Sequence, residues 1–220
     1  MIWIVLIPIL IFSVVVHEVA HAWAARREGD DTAERAGRLT LNPLPHLDPV
    51  GSFLVPAILI ALPGSFIFGW AKPVPVDPRR FREPVAGDIR VSLAGPASNL
   101  LLVVLFTLLL VPAVALAGGA EAAWDPERGS LAVTGAFYGI VINLILAIFN
   151  LIPVPPLDGS HVLRHLLPRS LRGPYLKMGS VGVLVLLGVL FLIPGALDLL
   201  FLPVEVLAGA LLHLVSALTG

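Results

Sequence analysis

The chain has 220 residues with a formal net charge of -1, and 57% of its residues are hydrophobic but only 13% charged. Its mean hydropathy is +0.95, whereas a soluble domain carries about 25% charged residues. This composition excludes an ordinary soluble domain and gives no support for nucleic-acid binding. Because the chain has no cysteine, disulfides are excluded and any metal must be bound by His, Asp or Glu.

The first apolar stretch, about residues 2–25, is long enough for a membrane helix, which takes about 20 residues. Its ionisable side chains are His17, Glu18 and His21, and such residues in a membrane span usually mark a functional site. The His-Glu-x-x-His spacing puts both imidazoles on one helix face, where they can bind one zinc with the Glu as general base. The alternative is two histidines bonded to neighbouring helices, which leaves the carboxylate without a role in lipid.

The next apolar block, 52–70, contains a Pro63-Gly64 break and has basic segments on both sides. Because Lys and Arg favour the cytoplasmic side, the block is predicted to enter and leave on that side. We therefore expect a re-entrant or short β-like segment between the first two spans, and the alternative is a further full span.

Four later apolar blocks predict further membrane helices, and the fold class is therefore an all-α polytopic membrane protein with about five to six transmembrane helices. We predict a core over residues 1–168 and a C-terminal transmembrane hairpin over 169–220. The blocks lie at about 91–117, 134–155, 179–194 and 196–217.

Basic residues predict the orientation of the chain. All of them except Arg128 lie in segments 26–50, 71–90 and 156–178, which are therefore expected inside, with 118–133 outside. His17 precedes Arg26 by nine residues, which is about 13 Å along a helix. The predicted metal thus lies in the cytoplasmic half of the bilayer, in a multi-pass protein of the cell membrane.

A third metal ligand is predicted after the span 134–155. A catalytic zinc has three protein ligands and one open position, and prolines between Asn150 and Gly159 break the helix there. Asp158 follows this break, six residues before Arg164, so it lies at a depth similar to His17. We interpret Asp158 as the third ligand; the alternative is a helix N-cap.

Together these segments resemble the site-2 protease family of intramembrane zinc metalloproteases, over about residues 10–167. The matching motifs occur in the family's order. They are His17-Glu18-x-x-His21, Asn42-Pro43 with His46-Leu47-Asp48-Pro49-x-Gly51, Phe68-Gly69-Trp70-Ala71-Lys72-Pro73-Val74-Pro75-Val76, Gly95-Pro96-x-x-Asn99, and Asn150-x-x-Pro153 with Leu157-Asp158-Gly159.

The resemblance implies one Zn²⁺ per chain, bound by His17, His21 and Asp158, with Glu18 as general base. It implies hydrolysis of peptide bonds in transmembrane protein or peptide substrates by zinc-activated water, with the lipid bilayer as the surroundings. The PDZ and CBS domains of many relatives are not recognised, so substrate gating stays unexplained. An inactive relative that binds membrane proteins and a membrane metal transporter are the alternative functions, and the oligomeric state is open.

Further polar residues have candidate roles. Asn150 or Asn99 is expected to donate an amide N–H to the oxyanion, although either is alternatively a helix-packing residue. His161 is a candidate partner that orients a zinc ligand, and His165 is predicted to be merely interfacial. The proline-rich segments 37–51 and 69–76 are expected to hold an unwound peptide as an added strand, with ordinary re-entrant structure as the alternative.

Overall fold

A computed structural model describes residues 2–54, 58, 70–119 and 130–219. These ranges contain helices and no β-strand, so the predicted all-α class is confirmed for the described part. In chain order the helices are α1 Trp3–Glu28, α2 Thr32–Arg35, α3 Pro84–Leu116, α4 Leu131–Asn150, α5 Asp158–Leu166, α6 Arg169–Lys177, α7 Gly179–Leu192 and α8 Ala196–Thr219.

Four of these helices, α1, α3, α4 and α8, are long and apolar enough to cross a membrane. A fifth span results if α6 and residues 181–192 of α7, which are bent by 76° relative to each other, count as one. These numbers refer to the described ranges. Most of the predicted block 52–70 and of the outer loop 118–133 lies outside them.

Helix α3 lies at the centre of the bundle and packs against α1, α4 and α8. The largest buried apolar cluster joins α3, α4 and α8, whereas a smaller one joins the end of α1 to the start of α3. Helix α8, in the second half of the predicted hairpin 169–220, shares the main core with α3 and α4. The division into a core over 1–168 and a hairpin over 169–220 stays a prediction. The main cluster comprises Val103, Leu110, Val114, Val133, Ala136, Ile140, Leu144, Val204, Ala208 and Val215.

The ends of the spans follow local sequence signals. Helix α1 ends where Gly29 adopts a left-handed φ of 108°, which glycine tolerates without steric cost. Helix α3 begins at Pro84, earlier than the predicted residue 91, because proline fits the first helical position. Helix α4 begins after the Ser130 side chain, which accepts from the Ala132 N–H, and it ends at Asn150, before the proline-rich turn.

The described parts of the connection between α1 and α3 return to the end of α1, where the Arg82 N–H donates to the Glu28 carbonyl at 2.9 Å. They contain 3₁₀ turns at Leu44–His46 and Pro78–Arg80 and a π-helical turn at Pro49–Leu54. Residues 70–77, which have no regular secondary structure, pair with the first part of this connection through the Lys72 N–H to the His46 carbonyl, 2.8 Å. This pairing is the nearest described feature to the predicted β-like segment, and it forms no regular strand within the described ranges.

Candidate metal centre

Three side chains from two helices converge at one point inside the bundle. His17 and His21 lie on one face of α1, and their Nε2 atoms are 3.0 Å apart. The Asp158 Oδ2 atom at the start of α5 is 3.2 Å from Nε2 of His17 and 3.3 Å from Nε2 of His21. Both histidines are buried and Asp158 is half-buried. The spacing of residues 17 and 21 therefore yields the geometry of a shared ligand face.

Hydrogen bonds on the far side of each ring fix the tautomers. The Nδ1 atom of His21 is 2.7 Å from the Val91 carbonyl, which only accepts, so Nδ1 carries the proton. The Nδ1 atom of His17 is 2.6 Å from Oδ1 of Asn99, which also accepts. In the neutral rings both Nε2 atoms are therefore unprotonated, with their lone pairs directed at the carboxylate. An unprotonated imidazole nitrogen is the form that binds a metal.

The donor set fits a zinc ion. Three lone-pair atoms within 4.8 Å of one another repel unless a cation lies among them. Oδ2 of Asp158 is buried and has no hydrogen-bond donor, as expected if both facing nitrogens are unprotonated. Two imidazole nitrogens and one carboxylate oxygen form a known ligand set for catalytic zinc, with the fourth position left for water. Each ring also has the outer hydrogen bond that orients a ligating histidine.

Asp158 reaches the histidines because the chain turns sharply after α4. Residues 151–157 form successive turns and bends, and Gly159 then lies directly on the backbone of Leu151 and Ile152, the two residues that follow α4. A β-carbon at Gly159 would be 2.9 Å from the Ile152 carbonyl oxygen, so a larger residue would push α5 away. The N-cap alternative for Asp158 does not hold, because the cap residue is Leu157 and no side chain caps this helix.

Gly95 completes the wall of the centre, a role that its motif alone does not predict. A β-carbon at this position would lie 2.7 Å from Nε2 of His17 and closer still to Nε2 of His21. Only a residue without a side chain therefore lets α3 approach the two ligand atoms. The available signal was the Gly-Pro-x-x-Asn spacing, which places Gly95 and Asn99 on one face of α3.

Glu18 is half-buried beside the ligand face. Its Oε2 atom accepts a hydrogen bond of 2.9 Å from the backbone N–H of Val74, which lies in the connection between α1 and α3. The neighbours Pro73 and Pro75 have no N–H to offer. The contact therefore comes from the single backbone donor of the three-residue stretch 73–75.

The two candidate amide donors have different surroundings. The Oδ1 atom of Asn99 accepts from His17, while its Nδ2 donates to Oδ1 of Asn143 at 2.8 Å. The Asn99 carboxamide is fully buried. It orients the metal-ligand candidate His17, and it does not make the predicted contact with an oxyanion. Nδ2 of Asn150 donates to the Leu146 carbonyl of its own helix at 2.9 Å. An amide nitrogen has two hydrogens, so its proposed role stays a prediction.

A second polar cluster joins α3 to α5. The buried carboxylate of Asp88 contacts Arg164 at 2.7 Å, His165 at 2.7 Å and His161 at 3.3 Å. The prediction that His165 is merely interfacial is therefore wrong, because its ring is 13% exposed and bonded to a buried carboxylate. His161 likewise bonds to Asp88 and not to a proposed zinc ligand. Sequence reasoning missed Asp88, because it lies in the segment 71–90 that was expected to be a loop, whereas the structure places it in helix α3.

Comparisons with known proteins agree with this chemistry. The profile described as Peptidase family M50 matches residues 74–194, a range that includes Asn99 and Asp158. A protein of Bacillus subtilis (strain 168), "Putative zinc metalloprotease YwhC", is 43% identical over 193 residues, which are 86% of this chain and 80% of that protein.

Two mycobacterial proteins, both "Putative zinc metalloprotease Rip2", are also similar. The protein of Mycolicibacterium smegmatis is 37% identical over 80% of this chain, and that of Mycobacterium tuberculosis (strain H37Rv) is 36% identical over 83%. In each case the match covers 64% of the Rip2 protein. No solved structure matches the chain.

Proposed function

Because the chain belongs to Peptidase family M50, the site-2 protease family, we propose that it is an intramembrane zinc metalloprotease that hydrolyses peptide bonds of membrane-spanning proteins. The observation that carries the proposal is the convergence of Nε2 of His17, Nε2 of His21 and Oδ2 of Asp158 inside a bundle of apolar helices. Three such donors favour zinc with one position open to substrate and water. Metalloprotease names among the relatives support the same reaction class.

The proposed mechanism assigns the proton transfers to Glu18. A bound zinc would supply a Lewis acid and lower the pKa of its water to about 7. Glu18 then takes a proton from the attacking water and delivers it to the leaving nitrogen. The Val74 N–H, bonded to Glu18 Oε2, holds the carboxylate in place between the two transfers. Asn150 remains the proposed donor to the oxyanion.

The proposed location is the cytoplasmic half of the cell membrane. The three basic segments meet at one end of the bundle, because Arg90 donates to Glu28 at 2.7 Å and Arg164 contacts Asp88 at 2.7 Å. Both pairs lie at the end of the bundle where α1 finishes with Arg26 and Arg27. A shared basic end supports the inside orientation, and the ligand face lies within α1 a few turns from it.

The proposed substrate is a transmembrane helix that unwinds, since a helix hides its own peptide bonds. Residues 70–77 lie beside Glu18 through Val74, and an unwound peptide bound along them would be close to the base. Strand addition uses backbone hydrogen bonds for affinity. The backbone N–H groups of Lys72 and Val74 and the carbonyls of Lys72 and Pro73 are already bonded within the chain, so an added peptide would have to use the remaining backbone groups of this segment.

The test is reconstitution of the purified chain with zinc in liposomes, together with single-span test proteins whose helices carry a Gly-Pro pair. We expect cleavage within or next to the span, at a rate about 10²- to 10⁴-fold lower in Glu18→Gln. Zinc content is measured on the same samples by elemental mass spectrometry. Bound zinc without cleavage of any test protein would favour an inactive binding protein. Zinc uptake into the liposomes that persists in Glu18→Gln would favour a transporter.

A further inference from the structure

A series of buried hydrogen bonds extends from the metal centre across three helices. It starts at His17 on α1, passes through Asn99 on α3 and ends at Asn143 on α4. Asn143 is absent from the motifs of the sequence analysis, and Ser13, Asn99 and Asn143 are all fully buried. Burying an amide side chain costs free energy unless its hydrogen bonds are satisfied. The presence of Asn143 at this buried position therefore calls for an explanation.

At the end of this series that is farthest from His17, Asn143 is anchored on a backbone carbonyl, which can only accept a hydrogen bond. Nδ2 of Asn143 donates to the Gly139 carbonyl at 2.8 Å, and a carbonyl only accepts. The same Nδ2 donates to Oγ of Ser13 at 2.9 Å. The two acceptors use both hydrogens of the Asn143 amide, so its Oδ1 must face Asn99.

This fixed orientation passes to the metal centre in two steps. Because Oδ1 of Asn143 faces α3, the Asn99 carboxamide turns its Nδ2 toward it, at 2.8 Å. The same Nδ2 has a second, longer contact of 3.5 Å with the Ser13 carbonyl, so Asn143 is its nearer acceptor. Oδ1 of Asn99 then faces His17 and accepts from Nδ1 at 2.6 Å. A flipped Asn99 would present N–H to that ring, which would favour a proton on Nε2 and remove the lone pair that a metal needs.

We propose that Asn143 is a positioning residue of the metal centre. Anchored on Gly139, it fixes the direction of the Asn99 amide and thereby holds His17 in the tautomer whose Nε2 binds zinc. The inference rests on the proposed zinc site, but it concerns metal affinity and tautomer and does not require proteolysis.

The test measures the zinc dissociation constant of detergent-purified protein by competition with a chelator, in two backgrounds. We expect Asn143→Leu to weaken zinc binding about 10- to 100-fold, the range for residues that orient a ligand. In an Asn99→Asp background the same change should have no such effect, because both carboxylate oxygens accept and no orientation is needed. Thr107→Val, which removes a buried hydroxyl bonded within α3, is the matched control and should leave zinc affinity unchanged.

Nitrogen NMR of ¹⁵N-histidine-labelled, metal-free protein supplies a second measurement. We expect Asn143→Leu to lose the Nδ1–H signature of His17 and to keep that of His21, whose partner is the Val91 carbonyl. The His21 signal thereby reports that the variant is folded. Should the leucine variant fail this check, Asn143→Ser, which can bond back to Gly139 but is too short to reach Asn99, replaces it.

An equal loss of zinc affinity in both backgrounds would show a merely structural role and overturn the proposal. So would an unchanged His17 tautomer in a folded variant. Absence of cleavage with zinc affinity behaving as expected would count against the proposed protease function alone, so the two failures are distinguishable.

Discussion

Gly95 lies against His17 so closely that a β-carbon on the glycine would come within 2.7 Å of Nε2, a ligand atom of the candidate centre. We expect Gly95→Ala to abolish zinc binding, since either the rings or α3 must move by several tenths of an ångström. Alanine is otherwise the better helix former by about 1 kcal/mol. Elemental analysis of purified protein measures the zinc content.

The matched control for this substitution is Gly209→Ala in α8, where a β-carbon would meet nothing within 4 Å. This variant should keep full zinc occupancy and activity. A Gly95→Ala protein that retains one zinc per chain would show that the assumed ligand geometry is incorrect.

Glu18→Gln separates proton transfer from metal binding. The amide keeps an oxygen to accept from Val74 but cannot take a proton, so we expect normal zinc content and a rate lower by about 10²- to 10⁴-fold. Cleavage of a test substrate in liposomes measures the rate. Glu205→Gln on the exposed side of α8 is the control and should behave as the parent does; a Glu18→Gln protein without zinc would make Glu18 a ligand.

The backbone of Val74 is predicted to position the catalytic base. Val74→Pro removes the N–H that donates to Glu18 Oε2 at 2.9 Å, while the flanking prolines already favour an extended chain. Hydrogen bonds to charged groups contribute about 1.5–3 kcal/mol, so we expect at least a tenfold lower cleavage rate with zinc unchanged. Val74→Ala keeps the N–H and should retain activity; an equal loss in both variants would instead assign the effect to the side chain.

The buried carboxylate of Asp88 should be important for stability. It is 4% exposed and joins α3 to α5 through Arg164 and two histidines. Asp88→Ala leaves a cation without its partner, and breaking a buried pair typically costs about 3–5 kcal/mol. We expect a clearly lower midpoint of unfolding and, because α5 begins with Asp158, weaker zinc binding.

The control for Asp88→Ala is Glu34→Ala, which breaks the exposed Arg26–Glu34 pair. Exposed pairs contribute about 0–1 kcal/mol, so its unfolding midpoint should change little. Similar midpoints for the two variants would mean that the α3–α5 cluster does not hold these helices together.

The long spans and the ligand motif could be predicted from the sequence because lipid requires continuous apolar helices and charged residues there are rare. The contacts between helices could not be predicted in this way. The pairing of Asn99 with His17, and of Asp88 with Arg164, depends on how α3 lies against α1 and α5. Apolar periodicity does not specify this arrangement, since lipid-facing and buried positions are both apolar.

The orientation of the bundle gives the last prediction, and the absence of cysteine in the chain makes it directly measurable. Single cysteines at the exposed positions Glu34 and Arg169 lie at the basic end, whereas Leu131 begins α4 after the predicted outer loop. In intact cells an impermeant thiol reagent should label Leu131→Cys and leave Glu34→Cys and Arg169→Cys unlabelled until the membrane is opened. The reverse pattern would place the basic end outside, against the positive-inside rule. The ligand face would then lie in the outer half of the bilayer, and zinc binding itself would be unaffected.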